Sequence, residues 1–240
     1  MGKNLRQQAR GKGGPTYRAP SFRYEGEVRL RPLDNGATMQ GTITEFIKCQ
    51  GHSAPLARVR YNDGNEGLII APEGVYVGQL ISSGPEAPIE KGNQLPLKNI
   101  PDGAFVFNIE GNPGDGGKFC RTGGSSARLL TKTEQGGLIM LPSKKEKIFS
   151  LDSRAQIGVI SGGGRLEKPR LKAGVNYFRY KMTNKKYPIM AGSAQNAVDH
   201  PFGNKRTSRK SKARPAPHNA PPGRNVGMIR PRRTGRAKRG

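Results

Sequence analysis

From residue 27 onward the apolar positions recur in short alternating runs rather than with a helical period. In "EVRLR" at 27–31, Val28 and Leu30 stand opposite charged residues, and "TITEFI" at 42–47 is rich in β-branched residues, so both predict strands. "ARVRY", "NDGNEG" and "LIIA" together predict a hairpin whose Asn/Asp/Gly turn supplies positive backbone angles, and "VYVGQLIS" predicts the strand after it. Four or five such strands with no convincing amphipathic helix predict a small closed barrel, since an open sheet of that length would leave its edges exposed. A Pro/Gly-rich interval at about 84–103, "GPEAPIEKGNQLPLKNIPDG", reads as a boundary. Beyond it "AFVFNIE", "ARLLTK", "GLIMLP", "KIFSL" and "AQIGVIS" predict a second set of strands joined by glycine turns, again at the spacing of a compact barrel. The chain is therefore expected to be mainly β.

After about residue 190 the apolar pattern stops. From 200 to 240 the only large apolar residues are Phe202, Val226, Met228 and Ile229, and six prolines block a continuous helix. Such a segment cannot bury enough apolar surface to offset its ordering entropy, so on its own it is expected to be disordered. The start, "GKNLRQQARGKGGPTYRAPSFRY", reads the same way. The expected organisation is a basic N-terminal arm at 1–24, barrels at 25–84 and 85–190, and a basic Pro/Gly-rich extension at 191–240.

Charge sharpens this division. The net charge of +25 is distributed as +6 over residues 1–24, zero over 25–164, +6 over 165–199 and +13 over 200–240. A neutral body thus carries cationic ends. Soluble surfaces usually intersperse both signs, whereas unbroken basic runs repel themselves unless an anionic partner offsets them, which points to nucleic acid. No apolar run approaches the roughly 18 residues of a spanning helix, and no basic amphipathic helix suits a membrane surface. Gly2 is followed by Arg6 where a myristoylation signal requires Ser or Thr, and no secretory signal is recognisable, so an intracellular setting is expected.

Motifs for other chemistry fall short. Cys49 and Cys120 are too few for a disulfide framework, and the Cys49/His52 spacing lacks a second close pair to complete a zinc site, so no metal and no cofactor are expected. "GNPGDGGKF" lacks the opening glycine of a P-loop at the proper offset, and Phe119 replaces its Ser/Thr. "ISGGGR" lacks dinucleotide spacing. These loops are either tight strand turns or places where backbone N–H groups approach phosphate, with Lys118, Arg121 and Arg165 following them. In "NYFRYKMTNKKY" at 176–187, an extended conformation would put Tyr177, Arg179 and Lys181 on one side and Phe178 and Tyr180 on the other; it is either an RNA-facing strand or a plain strand with a solvated basic side. Asp199 and His200 precede Pro201, which pushes His200 toward an extended conformation, so a bonded Asp–His acid/base pair is not expected. No nucleophile elbow accompanies them, and catalysis is not expected.

Seven pieces in order along the chain, "RGKGGPTYRAPSFRY", "APEGVYVG", "PGDGGKFCRTGG", "IGVISGGGRLEKP", "NAVDHPFG", "NAPPGRNVG" and "RRTGR", resemble the universal large-subunit ribosomal proteins of the L-two family, in their archaeal/eukaryotic form. The resemblance spans essentially the whole chain. It implies an OB-like barrel followed by an SH3-like barrel with both termini extended into large-subunit rRNA. It further implies roles in subunit assembly, in association with the small subunit and in organising RNA near the peptidyl transferase centre, with neighbouring large-subunit proteins as partners and a cytoplasmic location. The family's "VDH" motif falls on Val198, Asp199 and His200, with His200 in structural support because ribosomal chemistry belongs to RNA. The chain departs from the family where several more glycines often follow "HPFG"; here stand Asn204, Lys205 and Arg206. The residues expected to bind rRNA are Arg6, Arg10, Lys12, Arg18 and Arg23; Lys118, Arg121, Arg165, Lys168, Arg179 and Lys181; Asp199, His200 and Gly203; and Lys205, Arg206, Arg209, Lys210, Lys212, Arg214, Arg224, Arg230, Arg232, Arg233 and Arg236.

Overall fold

A computed structural model describes residues 4–32, 37–204 and 215–231. The chain divides into two units, Pro20–Leu171 and a second formed by Met1–Ala19 with Lys172–Gly240.

The first unit is β throughout. Its strands are β1 (Met39–Ile47), β2 (Leu56–Tyr61), β3 (Glu66–Ile70), β4 (Leu80–Ser83), β5 (Gln94–Pro96), β6 (Phe105–Phe107), β7 (Ala127–Thr133), β8 (Gly136–Met140), β9 (Glu146–Phe149) and β10 (Arg154–Ile157). Hydrogen bonding orders them β3-β2-β1-β4-β5-β10-β6-β7-β8-β9. The predicted hairpin is β2–β3, with Leu56 opposite Ile70 and Arg60 opposite Glu66. β1 pairs antiparallel with both β2 and β4. Bulges between Ile43 and Glu45 on β1 and between Leu129 and Thr131 on β7 bend the sheet about its apolar faces.

Each half wraps its own core, giving the OB-like module followed by the SH3-like module. Ile43, Ala57, Val59, Ile69 and Ile81 fill the first, and Leu95, Leu97, Ile100, Val106, Leu129, Ile139 and Phe149 fill the second. A third cluster contains Val28, Leu56, Ile70, Phe107 and Ile160, drawn from both halves, and so joins them.

Three predicted elements of the first unit differ in the structure. Residues 27–31 form no ladder strand, although Val28 and Leu30 are buried; Leu30 N–H bonds to Gly116 O at 2.8 Å and Arg31 N–H to Gln94 Oε1 at 3.3 Å. The alternation reported burial, which a strap across a junction needs as much as a strand does. The strand predicted across "VYVGQLIS" begins only at Leu80, because Gly78 N–H and Gln79 O close a turn onto Ile43. The interval 84–103 carries β5, which pairs parallel with β4 through Ser83 and Gln94 and antiparallel with β10. Its Pro/Gly content is compatible with a strand held from both sides, and Leu95, Leu97 and Ile100 are buried.

In the second unit, α1 spans Arg6–Gly11 and α2 spans Ala173–Met182. The extended conformation expected for 176–187 is thus replaced by helix over its first half. At helical spacing Tyr177 and Lys181 share a face, and Lys181 Nζ lies 5.9 Å from the Tyr177 ring, while Arg179 is turned away from both. The chain returns through a stack of Tyr180 on Tyr187, with centroids 5.2 Å apart. Asn184 ties the N-terminal segment to this one, its Nδ2 donating to Pro15 O at 2.9 Å and Arg18 O at 2.7 Å. Among the described residues no helix is long and apolar enough to cross a membrane.

Candidate nucleic-acid interface

The glycine loop after β6 is filled by its own anion. Asp115 Oδ2 accepts N–H bonds from Gly111 at 2.9 Å and Asn112 at 3.1 Å, Oδ1 accepts from Gly117 at 3.1 Å, and Lys118 Nζ lies 3.4 Å away. Burial alone would raise the Asp115 pKa, but these backbone donors and Lys118 outweigh it and hold the carboxyl below its usual range. Gly116 N–H turns to Glu110 Oε1 at 3.3 Å. The tight-turn reading of this loop is the one the geometry matches, since the N–H groups that a phosphate would use are already engaged. Glycine is required at 117, where φ is +91° and a Cβ would fall 2.4 Å from Asn108 Oδ1.

Beneath the loop lies an ion pair. The Glu110 carboxylate accepts from Arg154 Nη2 at 2.7 Å, Nε at 3.3 Å and backbone N–H at 2.9 Å, and Arg154 Nη1 donates to Arg31 O. Both side chains are buried. The pair ties β10 to the strap at 28–31, and nothing in local sequence spacing revealed it.

Arg121 faces inward as well, donating to Gly117 O at 3.0 Å and Val28 O at 2.6 Å. Burial pushes its pKa below the ordinary arginine value. Burial, followed by the nearby Arg121 charge, also lowers the His52 pKa. Burial raises the Cys120 thiol to about 11. Among the described residues no three His, Cys, Asp or Glu side chains gather as a metal site.

The other glycine loop is a backbone crossing. A Cβ on Gly124 would lie 2.5 Å from Gly163 Cα, and one on Gly123 would lie 2.8 Å from Ser53 O. Gly124 N–H bonds to Ile160 O at 3.1 Å and Gly123 N–H to Ser53 Oγ at 2.9 Å. Arg165 emerges half-buried beyond this crossing, and Lys168 is exposed.

The second unit displays its cations outward. Arg10, Lys12, Arg18, Lys181, Arg224 and Arg230 are exposed and Arg179 is half-buried, while Arg23 of the first unit is also exposed. Arg10 lies 5.8 Å from the Tyr17 ring centroid and Arg23 5.3 Å from that of Phe22. Arg6 opens α1, with its side chain outside the described atoms. Lys205, Arg206, Arg209, Lys210, Lys212, Arg214, Arg232, Arg233 and Arg236 lie outside the described residues.

Asp199 and His200 sit in a turn built on Asn196, whose carbonyl accepts N–H bonds from both, at 3.0 and 3.1 Å. His200 Nδ1 accepts Phe202 N–H at 3.0 Å, so a neutral ring carries its proton on Nε2. The imidazole covers Gly192, where a Cβ would fall 2.4 Å from Cε1. Gly203 is buried, and a Cβ there would meet Asn196 O at 2.3 Å. These contacts give His200 and Gly203 a part in fixing the turn.

Sequence reasoning passed over several exposed cations of the SH3-like module. Arg128, Lys132, Lys144, Lys145 and Lys147 are exposed, and Lys147 Nζ stands 4.2 Å from the Phe119 centroid and 5.1 Å from that of Phe149. The run "SKKEK" was a legible signal, hidden by the zero net charge of the body. It also passed over Lys186 and Gln195, which line a cavity with Asp199.

Two β modules of balanced charge, with exposed arginines and lysines on the segments that flank them in sequence, define a nucleic-acid-binding β protein. Comparison with known proteins makes the class specific. The family model "Ribosomal Proteins L2, RNA binding N-terminal domain" matches residues 3–83, and "Ribosomal Proteins L2, C-terminal domain" matches residues 90–220. The chain is 46% identical over 242 residues to the "Large ribosomal subunit protein uL2" of Methanopyrus kandleri, covering all of both chains. It is 46% identical to that of Halorubrum lacusprofundi and 44% identical to that of Haloarcula marismortui, each over 98% of both chains. The chain belongs to the L2 family of ribosomal proteins.

Proposed function

We propose that this protein is a structural constituent of the large ribosomal subunit, in the cytoplasm, and that it acts by binding rRNA rather than by catalysis. The observation that carries this reading is the partition of charge in a chain of the L2 family: the body from 25 to 164 is neutral and the flanking segments hold the whole excess of +25. The modules dock as preformed β bodies, and the cationic segments run between RNA helices and neutralise phosphates that would otherwise repel. Arginine suits this role through bidentate phosphate contacts and stacking on bases, and residues 230–240 hold five arginines and one lysine. Prolines lessen the entropy lost when such segments are ordered on RNA.

The sites of contact follow from exposure. Arg10, Lys12, Arg18, Arg23, Lys168, Lys181, Arg224 and Arg230 are exposed and are assigned to phosphate. Lys118 and Arg121 contribute chiefly through the loop and strap they hold, given their internal partners. Asp199, His200 and Gly203 shape the turn that is presented to RNA. The finer roles in subunit assembly, small-subunit association and ordering RNA near the peptidyl transferase centre, with neighbouring large-subunit proteins as partners, are proposed from the likeness to the L2 family.

The test is sedimentation of cell extract through sucrose. Comigration with the large subunit that survives moderate salt is expected; a wholly free or DNA-bound pool overturns the reading. For isolated RNA binding through about ten phosphates, raising salt from roughly 50 to 200 mM should weaken affinity by about five orders of magnitude, applying the duplex-DNA rule to RNA.

A further inference from the structure

Lysine and arginine occur 42 times in the 240 residues, yet residues 61–90 contain neither, and they hold five carboxylates, those of Asp63, Glu66, Glu73, Glu86 and Glu90. The same run displays a group of large apolar side chains on the first unit. Tyr76 is exposed by 67%, Val77 by 54%, Leu80 by 60% and Ile89 by 57%. They come from β4 and the loops on either side of it, and Gln79 stitches those loops together: its Oε1 accepts Tyr76 N–H at 3.3 Å and its Nε2 donates to Lys91 O at 3.4 Å.

The backbone beneath them is anchored. Glu73 N–H bonds to Val159 O and Gly78 N–H to Ile43 O, both at 2.8 Å, while Glu86 N–H bonds to Thr38 Oγ1 at 3.1 Å and Asn93 Nδ2 donates to Pro88 O at 2.9 Å. Side chains carried on loops held in this way lose little chain entropy when a partner covers them. Glu73, Glu86 and Glu90 are exposed in the same two loops, and Lys91 adds a cation at their end.

An apolar centre with a charged rim is the composition of a protein interface, and tyrosine is among the residues that most often anchor one. RNA fits this face poorly, because carboxylates repel phosphate and residues 61–90 supply no lysine or arginine to offset them. A basic polypeptide fits it in both respects. We propose that Tyr76, Val77, Leu80 and Ile89 dock a lysine- or arginine-bearing segment of another protein, with apolar side chains of that segment against them and its cations toward Glu73, Glu86 and Glu90. The proposal rests on the reading that the chain works within the large subunit, and it adds a face that meets protein there instead of RNA.

The test places the photo-crosslinking residue p-azidophenylalanine at position 76 or, in a second chain, at position 89, and irradiates purified large subunits that carry it. Mass spectrometry of either product should show a covalently joined peptide from a different protein, with positive net charge. The same probe in place of Lys168, an exposed cation assigned to phosphate, should join to RNA. Glu73→Lys combined with Glu86→Lys and Glu90→Lys should cut the peptide adduct at position 76 by about tenfold or more, since like charges facing each other across an interface suppress association. The RNA adduct at position 168 should stay unchanged in that variant, which shows that it still folds and assembles. An RNA adduct at 76 or 89, an adduct to an acidic peptide or to a second copy of the chain, no adduct at either position, or a peptide adduct that survives the charge reversal overturns the proposal. Basic-peptide adducts at 76 and 89 without an RNA adduct at 168 remove the phosphate assignment of Lys168 and leave the proposal standing; a chain absent from large subunits removes both.

Discussion

Glu110 receives four hydrogen bonds, three from Arg154 and one from Gly116, and is fully buried. Removing one charge of such a pair strands the other in low dielectric, at a cost of about 3–5 kcal/mol, whereas replacing both with apolar residues is often close to neutral. Glu110→Gln should therefore lower the urea midpoint sharply, and the double variant Glu110→Leu, Arg154→Met should recover much of the loss. His52 gives a pH signature. Its folded pKa is lowered, so between the folded value and the unfolded value near 6.5 the unfolded state binds more protons, and stability falls as pH drops below about 6.5. In a urea series from pH 7.5 to 5, His52→Gln should flatten that part of the profile. Cys120 has its thiol raised to about 11, so at pH 8 it should be alkylated by iodoacetamide much more slowly than in urea, as read by mass spectrometry.

At the scale of elements, β5 is the strand that carries the sheet from one module to the other, between β4 and β10. Leu95→Ala removes a fully buried side chain from the second core and should cost about 2–5 kcal/mol in denaturant unfolding. This element was illegible in sequence because its residues lie among Pro85, Pro88, Gly92, Pro96 and Pro101, and composition reports turns without reporting that a strand on each side can hold three residues extended. The β2–β3 hairpin was legible because the pairing is local and its turn chemistry lies between the two runs. The segment at 176–187 misled for the opposite reason: its alternation of aromatic and basic residues fits a strand, yet no neighbouring strand pairs with it among the described residues, and Ala173–Met182 closes its hydrogen bonds within itself as a helix.

For the whole molecule, the charge layout makes a prediction that leaves the fold aside. Replacing Arg230, Arg232, Arg233 and Arg236 with Gln removes four of the thirteen cations beyond residue 200. The slope of log affinity against log salt should become shallower by about 3, at roughly 0.7–0.9 per phosphate contact, while the thermal unfolding midpoint of the β modules stays in place.

Sequence by itself determined the β class, the two sets of strands, the neutral body between cationic ends and the likeness to the L2 family, because alternation, turn residues and charge runs are written in adjacent positions. Only the tertiary structure decided that the glycine loop encloses Asp115, that Arg121 points inward, that Glu110 meets Arg154 across 44 residues, and that Lys186, Gln195 and Asp199 surround one cavity. Those facts depend on which backbone groups are already satisfied and which distant side chains converge, and neither is encoded in the spacing of residues along the chain.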